Sequence, residues 1–342
     1  MSRHINIPIF IPHLGCPNQC VFCNQRTISG VTEFDPSFVS GIIDSHLATA
    51  DINDEVEIAF FGGSFTGIDR SLMIELLEIA YGYVKSGAVR SIRCSTRPDY
   101  IDEEILSILT DHGVKHIELG LQSTSDKVLR ATKRGHDRNA EEIACKMIVE
   151  HGFELIGQMM IGLPEATIED ELETARFIIN CKAKGARIYP TVVFKDTELC
   201  EMAASGDYQP LSIEEAVERS AKVYSLFSEN KLDVIRIGLC SSENLTSYET
   251  YYGGPNHPAI GEMVLNKFYY EKIYGEAVKL RPSHNDILKI NVATGALSKA
   301  IGQKKINKYN LRSELCVKDI IFVECNKLSE HEITVEIYSG EK

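Results

Sequence analysis

The stretch DEEILSILTDHGVKHIELGLQ, residues 102–122, joins an amphipathic helix to a short apolar run through a single glycine. Asp102 stands where the N-cap of the helix belongs. Gly113 stands where a helix ends with a residue of positive φ, which glycine adopts at the least cost. The run that follows is nearly continuous in apolar residues, as parallel strands are when both faces are covered. The stretch therefore predicts a helix followed at once by a buried strand.

The same unit recurs between residues 55 and 195. Helices that end near Gly87, Gly152 and Gly185 are each followed by a β-rich run, and we expect a positive φ at each of these glycines. With the apolar run at the N-terminus, the pattern predicts six strands that alternate with helices. Strict alternation with short loops predicts a parallel sheet with right-handed crossovers. A curled partial barrel and an open doubly wound sheet both fit this pattern.

The rest of the chain changes character twice. Residues 196–275 are mainly helical in pattern, with one further strand indicated by LDVIRIGL, residues 232–239. From about residue 285, three strand patterns surround two short helices. We therefore expect two domains, the first over residues 1–275 with a helical extension to the sheet, and a small α/β domain over residues 285–342.

Composition narrows the class of protein. The 36 basic and 49 acidic residues leave a net charge of −13, which argues against a protein that coats nucleic acid through bulk charge, although a local basic patch is compatible with it. No apolar run reaches the length of a membrane span, and the N-terminus lacks a signal-peptide pattern. We expect a cytoplasmic protein without a membrane partner, in which the ten cysteines form no disulfide framework.

Three of those cysteines stand together in HLGCPNQCVFCNQRTISG, residues 13–30, as a C-x₃-C-x₂-C run of Cys16, Cys20 and Cys23. Thiolates at such spacings bind zinc or iron. A closed zinc site needs four ligands, and His13 is the sole imidazole nearby. Three thiolates on a four-iron cube would leave one iron open to a small molecule. A Cys₃His zinc site and an incidental trio are the alternatives.

This loop, with Phe22 before its third cysteine, resembles the C-x₃-C-x-aromatic-C loop of the radical S-adenosylmethionine (SAM) superfamily. The resemblance implies an α/β fold, a partial (β/α)₆ TIM barrel of the radical SAM type with a small C-terminal α/β appendage. It implies a 4Fe–4S cluster held by Cys16, Cys20 and Cys23, with SAM on the open iron. Reductive cleavage of SAM would then make a 5′-deoxyadenosyl radical, the hard chemistry being the cofactor's.

The same resemblance places SAM contacts at the ends of successive strands. The FFGGSFTG segment, residues 60–67, corresponds to the motif that contacts the SAM amino group, and the other segments are CSTRPD, IELGLQS, KRGHDR and GQMMIGLP. The residues implied as SAM contacts are Gly62, Gly63, Ser64, Ser95, Arg97, Gln122, Arg134 and Gln158. No catalytic side chain is assigned.

Over residues 5–260 the resemblance extends to the radical SAM part of the Elongator catalytic subunit and its short bacterial relatives. The segment LSKAIGQKKINKYNLRSEL, residues 297–315, is similar to the centre of a KH RNA-binding module, with Lys305 in place of a glycine of that motif. It carries five cations against Glu314, so it predicts a nucleic-acid surface, with a solvated helical hairpin as the alternative.

The function expected from these features is that of a radical SAM enzyme, a transferase or oxidoreductase, that modifies a tRNA base. Such an enzyme needs an external one-electron donor of the flavodoxin or ferredoxin type. One alternative is the same chemistry on a small molecule, as in the coproporphyrinogen oxidases. The other is a cluster-carrying RNA-binding protein that does not catalyse a reaction.

Overall fold

The computed structural model of the chain describes residues 3–11, 16, 20–24, 34–239 and 249–338. The chain divides into two compact units, residues 1–211 with 232–256 and residues 212–231 with 257–342. The helices over residues 213–229 and 260–279 lie in the second unit, whereas the sequence-based boundary places them with the barrel. The limits of independently folding domains stay a prediction.

The first unit alternates strands with helices. Its strands are β1 (His4–Ile11), β2 (Glu55–Gly62), β3 (Ser91–Thr96), β4 (Val114–Gln122), β5 (Glu154–Ile161), β6 (Gly185–Pro190), β7 (Val193–Phe194), β8 (Asp233–Ile237) and β9 (Tyr251–Gly253). Its α-helices are α1 (Val39–Leu47), α2 (Arg70–Lys85), α3 (Glu103–Asp111), α4 (Asp126–Ala131), α5 (Arg138–Glu150), α6 (Ile168–Asn180) and α7 (Glu198–Ser205). Short 3₁₀ helices cover Pro36–Phe38, Phe65–Gly67 and Pro98–Tyr100.

Seven of these strands form one sheet in the order β1-β2-β3-β4-β5-β6-β8, and every neighbouring pair is parallel. Each new strand is added on the same side, whereas a doubly wound sheet reverses its direction at a switch point. The order therefore decides between the two architectures that the sequence left open. The fold is a curled half-barrel, as predicted, and β8 joins the six expected strands as a seventh.

Local signals start and stop the helices as the sequence predicts. The Asp102 carboxylate accepts a hydrogen bond from the Ile105 amide at 2.8 Å and caps α3. Gly87, Gly113 and Gly152 follow helices with φ values of 78°, 71° and 84°. Because these termini are satisfied by adjacent residues, each strand follows its helix after only a few residues.

The expectation for Gly185 was wrong. Helix α6 ends at Asn180, and Lys182, with a φ of 58°, takes the left-handed conformation instead. Gly185 opens β6, where a Cβ atom would lie 2.9 Å from Cδ1 of Ile235 and 3.2 Å from the carbonyl oxygen of Asp233. This glycine is therefore required by the close approach of β8 and not by the helix terminus.

The two faces of the sheet differ in chemistry. The outer face is apolar and fully buried under the helices, with side chains such as Ile58, Ile92 and Ile117 at 0% exposure. The inner face carries buried charges from alternating positions, among them Glu57 on β2, Arg93 on β3, Glu118 on β4 and Arg187 on β6.

These inner charges pair with one another. Arg93 donates to Glu57 through Nε at 2.9 Å and to Glu118 through Nη1 at 3.0 Å. Arg187 Nη2 donates to the same Glu118 oxygen at 2.7 Å. Buried charges persist when they are paired and hydrogen-bonded, so the acids and arginines stabilise each other across four strands.

The second unit contains two long helices, two short helices and a small sheet. Its helices are α8 (Ile213–Glu229), α9 (Ile260–Lys279), α10 (Leu297–Ile301) and α11 (Ile306–Glu314), and its strands are β10 (Ile287–Ala293), β11 (Asp319–Cys325) and β12 (Ile333–Ile337). A 3₁₀ turn over Gln303–Lys305 links α10 to α11. The sheet order is β11-β10-β12, with β11 parallel and β12 antiparallel to β10. The strand and helix patterns noted from residue 285 onward therefore form these elements. In the described part of the chain, every helix is too short or too polar to cross a lipid bilayer.

We predict that Glu118→Gln destabilises the protein by about 3 kcal/mol, because it leaves two buried arginines without their shared counter-charge. The urea dependence of unfolding, followed by circular dichroism, measures this. Glu55→Gln is the matched control, since Glu55 is 48% exposed and pairs with Arg90 at the surface, and it is expected to cost less than about 1 kcal/mol. Equal losses for the two variants would contradict a stabilising role for the inner network.

Candidate active site

The cysteine loop, residues 16–23, is anchored at its described end, Cys20 to Cys23. The Val21 amide donates to the carbonyl oxygen of Thr132 at 3.2 Å, and the Leu199 amide donates to the carbonyl oxygen of Val21 at 2.8 Å. The Cys23 amide donates to the carbonyl oxygen of Cys20 at 3.0 Å and tightens the turn. The turn is thus fixed on both sides by the parts of the chain that follow β4 and β6.

Two guanidinium groups converge on the Cys20 sulfur. Arg134 Nη1 lies 3.3 Å and Arg97 Nη1 lies 3.6 Å from Sγ, and both arginines are buried. Arg97 is held by two bonds to Asp99, at 2.9 and 3.0 Å, and Arg134 donates to the carbonyl oxygen of Gly120. Charged donors form the stronger hydrogen bonds, so the two guanidinium groups place positive charge directly at the Cys20 sulfur.

Cys16 lies near the same arginines. Burial raises the pKa of its thiol, while Arg97, Arg134 and the amide N–H of Ser64 act in the opposite direction. No three described side chains converge on a single metal ion. Each thiolate of a four-iron cube binds its own iron, so cube ligands stand further apart than the ligands of one ion. His13, the fourth ligand of the zinc alternative, lies outside the described residues.

The glycines after β2 meet β1 at very short range. The Gly63 amide donates to the carbonyl oxygen of Ile11 at 3.0 Å. Gly62 has a φ of 118°, and a Cβ atom there would lie 2.5 Å from the same oxygen. Ser64 follows with its hydroxyl 2.9 Å from that of Thr96. The two glycines therefore lie against the last residue of β1, where a side chain on residue 62 would not fit.

Gln122 ends β4 in an unusual conformation. Its φ is 70°, and the pairing of β4 with β5 shifts register between Gly120 and Gln122. Among the described residues, its buried Oε1 has no hydrogen-bond partner. A Cβ atom on residue 120 would lie 3.0 Å from Nε2 of Gln122, so Gly120 gives this side chain its room. A buried acceptor left open at a strand end is suited to a ligand that donates a hydrogen bond.

Ser95 and Gln158 contact Glu118 and not the cysteine loop. Gln158 Nε2 donates to Glu118 Oε2 at 2.9 Å, and Ser95 Oγ lies 3.4 Å from the same oxygen. The structure thus places two predicted residues, Arg97 and Arg134, at Cys20 and two others, Ser95 and Gln158, at Glu118. Sequence reasoning missed Glu118 as a site residue. Its signal was a charged residue within the apolar segment IELGL, residues 117–121, of β4.

A further polar chain lies behind Arg97. His136 Nδ1 is 3.5 Å from Asp99 Oδ1, and His136 Nε2 is 3.1 Å from Glu141 Oε1. Asp99 and His136 also line an open cleft of about 570 Å³. Burial alone would raise the pKa of Asp99, yet its bonds to His136 and Arg97 hold that pKa well below its usual range. Glu141 differs, because burial raises its pKa to about 7 and His136 only partly opposes the rise.

We predict that Glu141 makes folding less stable as pH rises. Its pKa is about 7 in the folded chain and 4.5 as a free group, so stability present below pH 4.5 is lost progressively up to pH 7, by about 3 kcal/mol. Glu141→Gln removes this dependence. At acid pH the variant and the native protein should therefore have nearly the same free energy of unfolding. Above pH 7 the variant should be the more stable of the two.

Urea unfolding at a series of pH values measures that difference. Glu142→Gln, an exposed neighbour on the same helix that pairs with Arg138, is the control and should show no such trend. A constant difference between Glu141→Gln and the native protein across the series would contradict the raised pKa.

Comparison with protein families places the chain. A model of the radical SAM superfamily matches residues 10–178, and a model of the radical SAM C-terminal domain matches residues 183–270. The first match contains the last two residues of β1, the cysteine loop and β2 to β5, and the second contains β6 and β8. Together they cover both sets of site residues described above.

Individual relatives agree with the family models. Elongator complex protein 3 of Bos taurus is 29% identical over 256 residues, which are 63% of this chain and 47% of that protein. A tRNA uridine(34) acetyltransferase of Methanocaldococcus infernus is 32% identical over 126 residues, 36% of this chain and 24% of that protein. This chain therefore spans half or less of the length of these curated relatives.

A solved structure confirms the fold. The archaeal Methanocaldococcus infernus Elp3 with an N-terminal deletion superposes with a TM-score of 0.63 at 22% sequence identity, covering 80% of this chain and 63% of that chain. At this identity the likeness concerns the fold alone. With the two family models spanning the half-barrel and its cysteine loop, the chain belongs to the radical SAM superfamily of enzymes.

Proposed function

We propose that this chain holds a 4Fe–4S cluster at Cys16, Cys20 and Cys23, binds SAM beside it, and uses radical chemistry to modify a base of tRNA. The observation that carries the proposal is the convergence of Arg97 and Arg134 on the Cys20 sulfur, within a three-cysteine loop, at 3.6 and 3.3 Å. Two charged N–H donors directed at one sulfur suit a sulfur that binds iron, because the sulfurs of such clusters accept hydrogen bonds from the protein.

The donor set fits the cluster. Three cysteines in a short loop supply three thiolates and leave one iron for an exogenous ligand. When bound, such a cluster supplies the electron that cleaves SAM into methionine and a 5′-deoxyadenosyl radical, which abstracts hydrogen from a substrate. Arg97 and Arg134 would offset the negative charge that three thiolates bring into a buried site.

The edge of the sheet fits SAM. Gly62 and Gly120 leave backbone open where a Cβ atom would meet Ile11 or Gln122. Gln122 offers a buried acceptor, Oε1, that no described group satisfies, and a SAM amino or ribose hydroxyl group could donate to it. Gly63, Ser64, Ser95, Arg97, Arg134 and Gln158 complete the proposed SAM contacts. Ser95 and Gln158 would act together with Glu118, the residue that binds both.

The hydrophobic flank of the loop would keep water from the reaction. Val21 packs with Val193, Leu199 and Tyr208 in a buried cluster, and Phe22 lies against it. Excluding water protects a reactive radical from side reactions and strengthens the electrostatic contacts around it. Phe22 thus takes the shielding place that the family's loop gives to an aromatic residue.

A tRNA substrate is supported by the relatives and not by geometry in this unit. One matched protein is named as a tRNA uridine(34) acetyltransferase, and another is Elongator complex protein 3. The reducing electron must come from outside the chain, and we propose a donor of the flavodoxin or ferredoxin type.

We predict that the protein purified anaerobically carries about four irons per chain and forms 5′-deoxyadenosine when given dithionite and SAM. Cys16→Ser, Cys20→Ser and Cys23→Ser should each lose most of the iron and all of the 5′-deoxyadenosine, because each removes one cluster ligand. Cys316→Ser, at an exposed thiol, is the control and should keep both. Iron analysis, electron paramagnetic resonance and chromatography of the products measure these outcomes.

The same preparation tests the substrate. With unmodified tRNA added, mass spectrometry of nuclease digests should show one nucleoside whose mass change requires SAM and Cys16. If 5′-deoxyadenosine forms but every nucleoside keeps its mass, a small-molecule substrate replaces tRNA. If the cluster is present and 5′-deoxyadenosine never forms, the protein carries a cluster without catalysis. An iron-free protein, or one with a single zinc, overturns the proposal entirely.

A further inference from the structure

A basic surface lies on the second unit, where α10 turns into α11. We define the lysine loop surface by its residues, Lys299, Lys304, Lys305, Lys308, Tyr309 and Arg312. Lys304, Lys305, Tyr309 and Arg312 are exposed to solvent, and Lys299 and Lys308 are half-buried. All six lie within the contacts of one unit, so their arrangement does not depend on the half-barrel.

The backbone of this loop is strained at two successive lysines. Lys304 has φ and ψ of 52° and 25°, and Lys305 has 64° and 26°. Residues other than glycine and asparagine reach this left-handed region at a cost. Such strain persists where the surrounding structure enforces it, and it is concentrated at ligand-binding sites.

The strained path is enforced from inside the unit. Asn307 Nδ2 donates to the carbonyl oxygens of Ala300 at 3.1 Å and Asn266 at 2.7 Å, tying the start of α11 to α10 and α9. Gly302 has a φ of 78°, and a Cβ atom there would lie 2.9 Å from Cγ2 of Ile306. The loop is therefore a rigid turn that presents Lys304 and Lys305 outward.

The charge of the surface is mostly uncompensated. Within the described residues Lys308 pairs with Asp319 at 3.1 Å, while Lys304, Lys305 and Arg312 form no ion pair. In a chain of net charge −13, this concentration of cations opposes the overall charge. A surface of this kind attracts polyanions in particular.

An exposed aromatic ring stands among the cations. Tyr309 is 55% exposed on α11. Lys305, Tyr309 and Arg312 are spaced by four and three residues, which places them on one face of the helix. The buried face is different, because it carries Asn307 and Leu311. Cations that track a phosphate backbone, beside a ring on which a base can stack, are the features of a single-strand binding surface.

We propose that the lysine loop surface binds single-stranded RNA, with Lys304 and Lys305 on phosphates and Tyr309 stacked on a base. The preference for RNA over single-stranded DNA rests on the proposed function, since the surface chemistry suits both. The proposal goes beyond that function by placing nucleic-acid binding on a surface of the second unit that contributes no cysteine and no SAM contact.

Fluorescence anisotropy of the full-length protein with a labelled single-stranded RNA of about 12 nucleotides tests this. We expect Lys304→Gln/Lys305→Gln to raise the dissociation constant about tenfold. We also expect the slope of the logarithm of the binding constant against the logarithm of salt concentration to become less negative by about 1.4, the value for two lost phosphate contacts on a single strand. Tyr309→Ala should weaken binding about tenfold with the salt dependence unchanged, because stacking releases no counterions.

The matched control is Lys182→Gln/Lys184→Gln. Both lysines are exposed in the first unit, and Lys182 is also left-handed with a φ of 58°, so this control removes the same charge from a comparable backbone. It should leave RNA binding unchanged. The 5′-deoxyadenosine yield without RNA should stay at the native level in all three variants, which separates a lost surface from a lost active site.

Several outcomes overturn the proposal. One is equal RNA affinity for the native protein and for the Lys304/Lys305 double variant, which would leave a tRNA substrate intact but place its binding elsewhere. Another is tighter binding of DNA of the same sequence. A third is sedimentation with phosphatidylserine vesicles in place of RNA binding. If the native protein binds no RNA at all while forming 5′-deoxyadenosine, the proposed RNA surface and the proposed tRNA substrate are both wrong. The proposed radical chemistry is then unaffected.

Discussion

Two arginines that point at one sulfur hold the candidate site together. Arg97 comes from the end of β3 and Arg134 from the loop between α4 and α5, yet both reach Cys20. Their own positions depend on Asp99 and on the carbonyl oxygen of Gly120. The cysteine loop is thus joined by charge to the ends of two neighbouring strands. Together with the backbone bonds of Val21 and the apolar packing of that residue, these contacts fix the position of the Cys20 sulfur.

The inner face of the half-barrel gives that site an unusual base. Most sheets of this class fill the interior with branched apolar residues, whereas here Glu57, Arg93, Glu118 and Arg187 form a continuous paired network. Glu118 connects this network to the site, because Ser95 and Gln158 also turn toward it. Polar side chains that are held in fixed orientations can bind a polar substrate without reorganising. In return, each buried charge must keep its partner if the fold is to stay stable.

Much of the fold was accessible from the sequence because its signals are local. Caps such as Asp102 and terminators such as Gly113 act over a few residues, and continuous apolar runs mark buried strands wherever they occur. The choice between a half-barrel and a doubly wound sheet was not accessible from the pattern of helices and strands, since strand order is a property of pairing between distant segments. Only the resemblance of the cysteine loop to a known family indicated the half-barrel. Gly185 shows the same limit. A glycine is required there because Ile235, on a strand about fifty residues later, packs against it, and no local sequence pattern indicates that contact.

The candidate site, too, could be predicted from the sequence only in part. The cysteine spacing and the strand-end motifs pointed to their residues one at a time, but which of them meet depends on register. Ser95 faces Glu118 because those two residues are paired across β3 and β4, and Gln158 reaches the same carboxylate from β5.

The turn at Gly62 has a consequence for anyone who wishes to retune this scaffold. Any side chain there would collide with the backbone of β1 itself, not with a group that can rotate away. Diversified libraries should therefore keep glycine at residue 62 and vary Ser95 or Gln158 instead, because these two contact a side chain and not the backbone of a neighbouring strand.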